Sequence, residues 1–584
     1  MHAFYHDYQT RLADKLNSGE ILKELPTWIT KHTRLNGKPF SFKDHEYMLG
    51  ILQDQSQEAD IMKCSQIGLS ELQIRFILSY LHVTQGKTAI YVMPHLVAAK
   101  TFTKTRIDSV IDDSPMLKAS VRAGSDSSTL KQIGTSFLHI GGAESVKAGI
   151  STAAQVLIID EYDFCNMRVL GIYNSRTRHS TLVMLKRRFS TPTVSNYGIS
   201  LNVLRSDGHR YMCKCVRCGD VQAPDFYKQV IIPGYDKEFK EFDVEDLGNP
   251  RYKVEDAYIA CIKCKRELDT SLGNADLREW VPERPLMRNR GYAVKPFDLI
   301  SHNTTASTIL QMRDYPLVQD YKNFVHGEPC DTDENKVNDA TVAKCCTGEW
   351  LENGNGWYIG IDVGKICHIT VGRKMNRKRH VVWFGKVRVS DGDLTQQIAA
   401  IMDRFGFART VVDHGPEITV PDGLQKRFGK DVVHPCVYIK GRKDNPIWYD
   451  LKSEADQTGY VNVTRTKGID SFVQSVNSGG WIFPNVQEME TVRKHLQQMV
   501  RVESMNEDGE MEARWTKATD ADHYFHSLVY LHTAMELDET EFNAANFFAP
   551  TNIAGIHVGP IATPNRSIIS GTGTSSLAQM FGRM

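Results

Sequence analysis

The stretch VLIIDEYDF, Val156 to Phe164, decides the fold of this chain, because four apolar residues run directly into two adjacent carboxylates. A continuous apolar run this short predicts a strand buried on both faces, as in a parallel sheet. Such sheets carry their chemistry at the carboxyl ends of the strands, so we expect Asp160 and Glu161 at the rim of a site. In an ATPase, one such carboxylate holds Mg²⁺ and the next orients the attacking water. A strand that ends in two solvated acids is the alternative interpretation.

The composition is that of an ordinary globular chain, with 584 residues of which 41% are hydrophobic and 24% charged. That length predicts about two to four domains rather than a single core. The apolar runs fall short of the roughly 18 residues that a membrane span needs, and the N-terminus lacks the apolar core of a secretion signal. Lys+Arg and Asp+Glu both number 70, so the net charge neither supports nor excludes a nucleic-acid partner.

Upstream of the acidic strand, the turn KCSQIGLS, Lys63 to Ser70, lies between a short apolar strand and a segment with helical spacing, Glu71 to His82. Such a helix start binds anions, because free backbone N–H groups and the helix dipole face the ligand. The standard phosphate loop GxxxxGK[ST] is absent, since Leu69 stands at the lysine position, although Gly68 and Ser70 match its end. We expect Lys63 to reach the phosphates from the start of the loop, with Ser70 on Mg²⁺.

Two other segments of the first half offer candidate ligand contacts. The strand MLKRRFS runs into Thr191, Pro192 and Thr193, and small hydroxyl residues at a strand end can sense a γ-phosphate. A plain turn explains the same residues equally well. The aromatic segment Phe40 to Met48 either stacks on a base or packs in the core.

Two CxxC pairs predict a metal site. Cys215 and Cys218 form one pair and Cys261 and Cys264 the other, in a chain whose 12 cysteines are unevenly clustered. Four thiolates at this spacing are the ligand set of tetrahedral structural Zn²⁺. Cys213 is a spare that would replace Cys215 if the first knuckle were shifted, and buried free cysteines are the alternative to a metal.

The second half repeats the pattern of acids at strand ends. Tyr358 to Ile361 reads as a buried strand closed by Asp362, two further strands and a helix follow, and TVVDHGPE is a buried strand ending in Asp413. Near the C-terminus, Asp522 precedes a helix. Acids from two strand ends and a helix start predict a ribonuclease H-like nuclease, in which two Mg²⁺ or Mn²⁺ ions lie about 3.5–4 Å apart. Glu417 and Asp520 are lesser candidates.

The order KCSQIGLS, YVMPHLVAAKTF, VLIIDEYD and STPT resembles the large terminase subunits of tailed phages and is most similar to the lambda-like family, DNA-packaging proteins that combine an ATPase and a nuclease. That family also carries its phosphate-loop lysine early and has a similar paired-cysteine insert. The resemblance covers nearly the whole chain. It implies an α/β fold class: an N-terminal RecA-like (ASCE) P-loop ATPase with a zinc-knuckle insert, then a C-terminal ribonuclease H-like nuclease.

The resemblance also implies a role for each candidate. Lys63, Gly68 and Ser70 would bind ATP, Asp160 would be the acid on the metal side, Glu161 the catalytic base, and Thr191 part of the motif that couples hydrolysis to movement. In the second half, the resemblance assigns catalysis and the binding of Mg²⁺ or Mn²⁺ to Asp362, Asp413 and Asp522. His523 and His526 depart from the family's more frequent acids, and would be metal ligands, proton-transfer groups or surface residues. No residue identifies the arginine finger, for which Arg106 is a candidate by position only.

The implied organisation is a lead-in over 1–50, an ATPase domain over 51–330 with a zinc-binding insert at 210–268, a linker over 331–356, a nuclease domain over 357–542 and a tail over 543–584. The implied partners are double-stranded DNA, a small terminase subunit, the portal of a procapsid and further copies in a ring, in the host cell cytoplasm. Two alternatives stay open. A cellular DNA translocase or helicase–nuclease would need a second RecA-like half, and a zinc-stabilised DNA-binding structural protein would leave the acid-ended strands unexplained.

Overall fold

The structure, a computed structural model, describes residues 20–144, 152–177, 184–270, 277–299, 304–355, 357–406, 409–415, 418–439, 449–451, 459–505, 511–518 and 521–548. The chain divides into two compact units, Met1–Met535 and Glu536–Met584, and the sheets and sites that follow lie in the first. Within the described ranges, no helix combines the length and apolar character that crossing a membrane requires.

The strands of the N-terminal half alternate with helices, which is the pattern that builds a parallel sheet. They are β1 (Arg34–Leu35), β2 (Lys38–Pro39), β3 (Glu58–Lys63), β4 (Thr88–Met93), β5 (Val121–Asp126), β6 (Leu130–Ile133), β7 (Ser136–Gly142), β8 (Val156–Asp160), β9 (Leu185–Ser190), β10 (His209–Lys214), β11 (Val221–Gln222), β12 (Val230–Ile231), β13 (Tyr258–Ile259), β14 (Arg278–Pro282) and β15 (Arg290–Val294).

The main sheet of this half has eleven strands among the described residues, in the order β11-β10-β15-β3-β9-β8-β4-β7-β6-β5, with β14 paired to β10. The central strands β15, β3, β9, β8, β4 and β7 run parallel. Strand β9 therefore lies between the phosphate-loop strand β3 and the acidic strand β8. An additional strand at this position is the defining feature of the ASCE class of ATPases that the resemblance implied. All five residues of β8 are buried, as the apolar run predicted.

The strands of the C-terminal half form a second, mixed sheet. They are β16 (Tyr358–Asp362), β17 (Ile366–Met375), β18 (Lys378–Arg388), β19 (Arg409–Asp413), β20 (Val433–Ile439), β21 (Tyr449–Leu451), β22 (Val461–Thr464) and β23 (Trp481–Ile482), followed by the hairpin of β24 (Met499–Met505) and β25 (Met511–Lys517). The order is β21-β22-β20-β19-β16-β17-β18-β23. An antiparallel meander β16–β17–β18 continues into parallel β16–β19–β20, so the expected ribonuclease H-like fold is confirmed.

Helices alternate with the strands in both halves. They are Glu20–His32, Tyr47–Leu52, Leu69–Thr84, Leu96–Phe102, Asp108–Asp113, Pro115–Ser120, Met167–Ser175, Gly198–Leu204, Phe226–Gln229, Thr305–Leu310, Val318–Asp320, Asp339–Lys344, Leu394–Phe405, Thr419–Phe428, Arg465–Asn477, Met489–Leu496 and His523–Phe548. The helix predicted from Glu71 begins two residues earlier, at Leu69, because Gly68 has a φ of +80° and lets the chain turn directly into the helix.

The β24–β25 hairpin of the C-terminal half packs against the N-terminal half. Val500 and Val502 form a buried cluster with Val194 and Tyr197, which follow strand β9. The backbone N–H of Arg501 also donates to the carbonyl of Asn335 at 2.9 Å. The two halves are thus in direct apolar contact close to the carboxyl end of β9.

Candidate functional site

The first centre lies where β3 and β8 end at the same edge of the sheet. Lys63 is the last residue of β3, and its Nζ lies 3.1 Å from Oε1 of Glu161, the residue after β8. Burial by itself would lower the pKa of Lys63, but the charges of Glu161 and Asp160 outweigh it and raise that pKa. The early lysine and the catalytic-acid candidate, 98 residues apart in sequence, are therefore in contact.

Asp160 lies beneath this ion pair and is held by three donors. Oδ2 accepts from the Tyr91 hydroxyl at 2.7 Å, Oδ1 accepts from the backbone N–H of Glu161 at 2.9 Å, and the Ser70 hydroxyl also hydrogen-bonds to it. Burial and the neighbouring Glu161 charge raise the pKa of Asp160 to about 6, although Lys63 opposes the shift. A buried carboxylate beside a hydroxyl is a set of hard oxygen donors that suits Mg²⁺.

The phosphate loop is supported from two sides by residues outside it. The fully buried Tyr47 donates its hydroxyl hydrogen bond to the carbonyl of Ile67. From the other side, the N–H of Ser65 donates to the carbonyl of Phe324 at 2.7 Å. Gly327 approaches so closely that a Cβ there would lie 2.5 Å from the backbone nitrogen of Cys64. Phe40 and Phe42 pack edge-to-face in the core, so this aromatic segment supports the loop by packing.

The carboxyl end of strand β9 lies beside Glu161. The Ser190 hydroxyl lies 3.4 Å from Oε2 of Glu161. Thr191 is only 2% exposed, and its Oγ1 has no hydrogen-bond partner among the described residues. Arg106 is half exposed and lies 3.7 Å from Glu71 on the phosphate-loop helix.

The four cysteines of the two CxxC pairs converge. Cys215 Sγ lies 3.8 Å from Cys264 Sγ, and Cys218 Sγ lies 3.7 Å from Cys261 Sγ. Four thiolates at the Zn–S distance of about 2.3 Å form a tetrahedron whose edges are about 3.8 Å, so these separations suit zinc. Cys213 is not part of this cluster, and its thiol donates a hydrogen bond to the carbonyl of Asp269.

Both knuckles have the same backbone form. Cys215 N–H donates to the carbonyl of Asp220 and Cys261 N–H to that of Arg266, both at 2.7 Å, while Gly219 and Lys265 both have positive φ. Burial would raise the pKa of Cys261, but hydrogen bonds from the backbone and from Gln222 lower it to about 6. The repeated turn thus lowers the pKa of the first cysteine of each knuckle, whereas at Cys218 a backbone hydrogen bond is outweighed by burial and the neighbouring thiols, which raise its pKa to about 11.

The second centre is built around Asp362 at the end of β16. Its Oδ2 lies 2.8 Å from Nδ1 of His523, the first residue of the last helix. His368 stands directly opposite Asp362 in the β16–β17 ladder, and its ring stacks on that of His523 with centroids 4.7 Å apart. One ligand atom from each of these three residues lies within 4.8 Å of the others. Burial and the two neighbouring imidazoles of His523 and His495 lower the pKa of His368 to about 4, so this ring is neutral at neutral pH.

The predicted acids Asp413, at the end of β19, and Asp522, directly before His523, do not belong to this ligand group of Asp362, His368 and His523. Burial and the Asp362 charge raise the pKa of Asp413, whose Oδ1 accepts from the Tyr530 hydroxyl at 3.1 Å. Asp522 lies 3.5 Å from Nε2 of His526, and although burial would raise its pKa, that contact and Lys517 lower it. Glu417 and Asp520 lie outside the described residues.

A glycine allows the last helix to reach this centre. A Cβ at Gly360 would lie 2.1 Å from the carbonyl oxygen of Ser527, so only glycine lets the helix backbone pack on β16. The Thr370 hydroxyl donates to the same carbonyl at 3.0 Å.

Sequence reasoning missed His368, Tyr91 and Tyr530, and it included Tyr47 only as part of the aromatic segment Phe40 to Met48. His368 could have been found from the sequence, because the tight turn of a hairpin fixes which residues of its two strands face each other. The three tyrosines had no such signal, because each reaches its partner from a distant part of the chain.

Residues 43–279 match the family model of the phage terminase large subunit gpA, ATPase domain. No curated protein matches the chain in sequence. The large terminase of bacteriophage HK97 is similar over 88% of this chain and 99% of its own, with 11% identity and a TM-score of 0.50. The large terminase ATPase domain of a Thermus phage covers 50% of this chain and 94% of its own, with 10% identity and a TM-score of 0.28. The large terminase nuclease of the thermophilic phage G20c covers 30% and 81%, with 16% identity and a TM-score of 0.21.

The family match falls on the part of the chain that contains the phosphate loop, the acidic strand and the cysteine insert. The likeness to the HK97 protein shows that the fold extends over the C-terminal half as well. Residues 43–279 are therefore similar to the ATPase domain of the phage terminase large subunit gpA, and the chain as a whole has the fold of a large terminase, with an N-terminal ATPase fold and a C-terminal ribonuclease H-like nuclease fold.

Proposed function

We propose that this subunit hydrolyses ATP in its N-terminal half to drive double-stranded viral DNA into a procapsid, and cuts concatemeric DNA with its C-terminal half. The observation that carries the proposal is the contact of Lys63 with Glu161 beside the buried Asp160, on a phosphate loop and an acidic strand separated by one additional strand. Phosphoryl transfer is catalysed almost entirely by positioning and charge, and this arrangement supplies both.

The ion pair between Lys63 and Glu161 suggests how the centre responds to ATP. In the structure the Lys63 ammonium lies 3.1 Å from Glu161. A polyphosphate bound at the loop would compete for this ammonium and draw it away from Glu161. Glu161 is then free to accept a proton from the attacking water. Ser70 and Asp160 would hold Mg²⁺, which neutralises phosphate charge when bound. Thr191 directly follows β9, the strand between β3 and β8, and its hydroxyl, which has no hydrogen-bond partner among the described residues, would be available to a γ-phosphate.

The nuclease role rests on the acids of the second centre. Asp362 and Asp413 end neighbouring parallel strands, and the charge of one raises the pKa of the other. Together with Asp522 they would hold Mg²⁺ or Mn²⁺, ions that stabilise the attacking and leaving oxygens of a phosphodiester when bound. The neutral His368 and the Asp362-bound His523 add nitrogen donors, which suit Mn²⁺ better than Mg²⁺.

The cysteine insert would hold one structural Zn²⁺ through Cys215, Cys218, Cys261 and Cys264. A site closed by four thiolates leaves no position for a substrate, so its role is to stabilise the insert. A small terminase subunit, the portal of a procapsid and further copies in a ring are the partners proposed for packaging, and the host cell cytoplasm is the proposed location.

The ATPase role is tested by Glu161→Gln, which keeps the shape of the side chain and removes the base. We expect ATP turnover to fall by about 10²–10⁴-fold while nucleotide still binds. Glu58→Gln is the matched control, because Glu58 lies at the opposite end of β3 in ion pairs with Lys186 and Arg188. Wild-type turnover in Glu161→Gln would remove this residue from its role.

The nuclease role is tested by Asp362→Asn, which should abolish cutting in Mg²⁺ or Mn²⁺ and spare ATP turnover. Asp470→Asn is the control, since Asp470 bonds to Trp515 and Arg501 away from the centre. Loss of both activities in Asp362→Asn would contradict two separate centres.

An ATPase assay with and without DNA tests the alternative of a purely structural DNA-binding protein. If DNA accelerates ATP turnover, that alternative is excluded.

The zinc proposal is tested by metal analysis of the purified chain. We expect about one zinc per chain, lost in Cys264→Ser and kept in Cys346→Ser, whose thiol bonds to the carbonyl of Val342 outside the cluster. A wild-type chain without zinc would refute the assignment.

A further inference from the structure

Asp163 is a buried carboxylate that the ATPase chemistry described above does not use. It lies in the turn Tyr162–Phe164 directly after Glu161 and has no exposed surface. Among the described residues, no lysine, arginine or histidine forms an ion pair with it. An acid buried without a cation is costly, so its hydrogen bonds must compensate.

Those hydrogen bonds all lead to the loop after β9. Oδ2 of Asp163 accepts from the backbone N–H and from the hydroxyl of Thr193, each at 3.0 Å. Oδ1 accepts from the N–H of Ile199 at 2.6 Å, at the start of the helix Gly198–Leu204. A Cβ at Gly198 would lie 2.1 Å from Oδ1, so the carboxylate and this loop fit together only because residue 198 is glycine.

The same turn contacts the catalytic-base candidate. Glu161 has a φ of +49°, an unfavourable conformation for a residue with a side chain, so its position depends on the contacts of the turn that follows. The N–H of Asp163 donates to the Ser190 hydroxyl at 3.3 Å, and that hydroxyl donates to Oε2 of Glu161 at 3.4 Å. The Asp163 carboxylate thus joins the Glu161 turn to the loop after β9.

The loop in turn contacts the C-terminal half. The carbonyl of Thr193 accepts from the N–H of Cys330 at 3.0 Å, at the start of the segment that leads to the nuclease sheet. Val194 and Tyr197 pack against Val500 and Val502 of the β24–β25 hairpin. A continuous set of contacts therefore runs from Glu161 through Asp163 and Thr193 to that hairpin.

We propose that Asp163 is a positioning residue that holds Glu161 in its working conformation and transmits the nucleotide state of the ATPase centre to the β24–β25 hairpin of the nuclease half. The inference rests on the proposed role of Glu161. Burial raises the pKa of Asp163 to about 7 in spite of its hydrogen bonds, which agrees with a site where no cation balances the charge.

The first test separates positioning from folding. Asp163→Asn leaves one oxygen for three donors, and Thr193→Val removes only the hydroxyl donor. We expect kcat for ATP to fall on the order of 10- to 100-fold in both, with KM unchanged and with recovery in Thr193→Ser. Thr103→Val is the control, because the equally buried Thr103 hydroxyl bonds only to a carbonyl of its own helix. Wild-type kcat in Thr193→Val, or a fall shared by Thr103→Val, would overturn the positioning role.

The second test measures transmission in the full chain by hydrogen exchange, with and without a non-hydrolysable ATP analogue and Mg²⁺. We expect the analogue to change the exchange of amides 499–505 and 511–517 in wild type and in Glu161→Gln, and the change to be lost in Asp163→Asn and Thr193→Val. No change in wild type, or the same change in the variants, would overturn the coupling. Normal turnover in Glu161→Gln would instead refute the proposed function.

Discussion

The two acidic centres of this protein have a similar arrangement of strands and acids but differ in the positive charges beside those acids. In each, a buried strand ends in an aspartate with a second acid beside it. At the first centre the buried Lys63 lies 3.1 Å from Glu161, whereas in the described part of the chain neither Asp362 nor Asp413 forms an ion pair with lysine or arginine. Under the proposed function, the first centre would therefore supply its own positive charge to the phosphates of ATP, whereas the second would take its positive charge from a metal cation.

The largest effect predicted from this comparison is the loss of ATP turnover in Lys63→Met. The change removes the only lysine that contacts Glu161 among the described residues and leaves two buried acids together. We expect ATP turnover to fall by about 10²–10³-fold and DNA cutting to persist, measured in separate assays on one preparation. Lys186→Met is the control, since this buried lysine pairs with Glu58 at the other end of β3 and β9. Equal losses in both variants would mean that Lys63 only stabilises the fold.

The converse prediction concerns the second centre and uses Gly360→Ala. The added Cβ meets the helix backbone at Ser527, so the helix that carries His523 must move or the strand must bend. We expect a loss of about 1–3 kcal/mol of stability together with loss of cutting, while ATP turnover at working temperature persists. In Gly364→Ala, the new Cβ has only an ordinary contact at 3.6 Å and should be harmless. Normal cutting by Gly360→Ala would show that the helix position is not critical.

A smaller effect is expected for His523→Asn, which sharpens the role of nitrogen donors in the second centre. The variant loses the ring that contacts Asp362 Oδ2 and stacks on His368. We expect the affinity for Mn²⁺ to weaken by about 10- to 100-fold, and that for Mg²⁺ by less, in a titration of cutting against metal concentration. Unchanged affinities for both ions would make His523 a surface residue.

The smallest effect concerns a histidine beside the first centre. His326 is enclosed by Phe226, Tyr227 and Tyr321, and burial lowers its pKa to about 3. Because the folded pKa is below the ordinary value of 6.5, the folded state binds fewer protons, and stability present above pH 6.5 is lost as the pH falls towards 3. His326→Phe should therefore gain about 1 kcal/mol relative to wild type over the first pH unit below 6.5, measured by denaturant unfolding. Parallel pH curves for the two proteins would contradict this.

Much of the fold was predictable because its signals are local. The buried strand Val156–Asp160, the strand ending at Asp362 and the CxxC pairs are each recognisable within about ten residues, by hydrophobic period or ligand spacing. The family resemblance added the order of the sheets. The start of the phosphate-loop helix was predicted two residues late, because its first turn depends on the positive φ of Gly68 rather than on apolar spacing.

By itself the sequence determined that acids follow buried strands in both halves and that four cysteines are spaced as metal ligands. Only the tertiary structure decided which of these groups meet. Asp362 contacts His523 across 161 residues, because Gly360 admits the last helix, and Asp163 joins Glu161 to Thr193 because the additional strand β9 ends beside β8. Such contacts depend on how helices and strands pack, and packing between distant segments leaves no periodic signal in either of them.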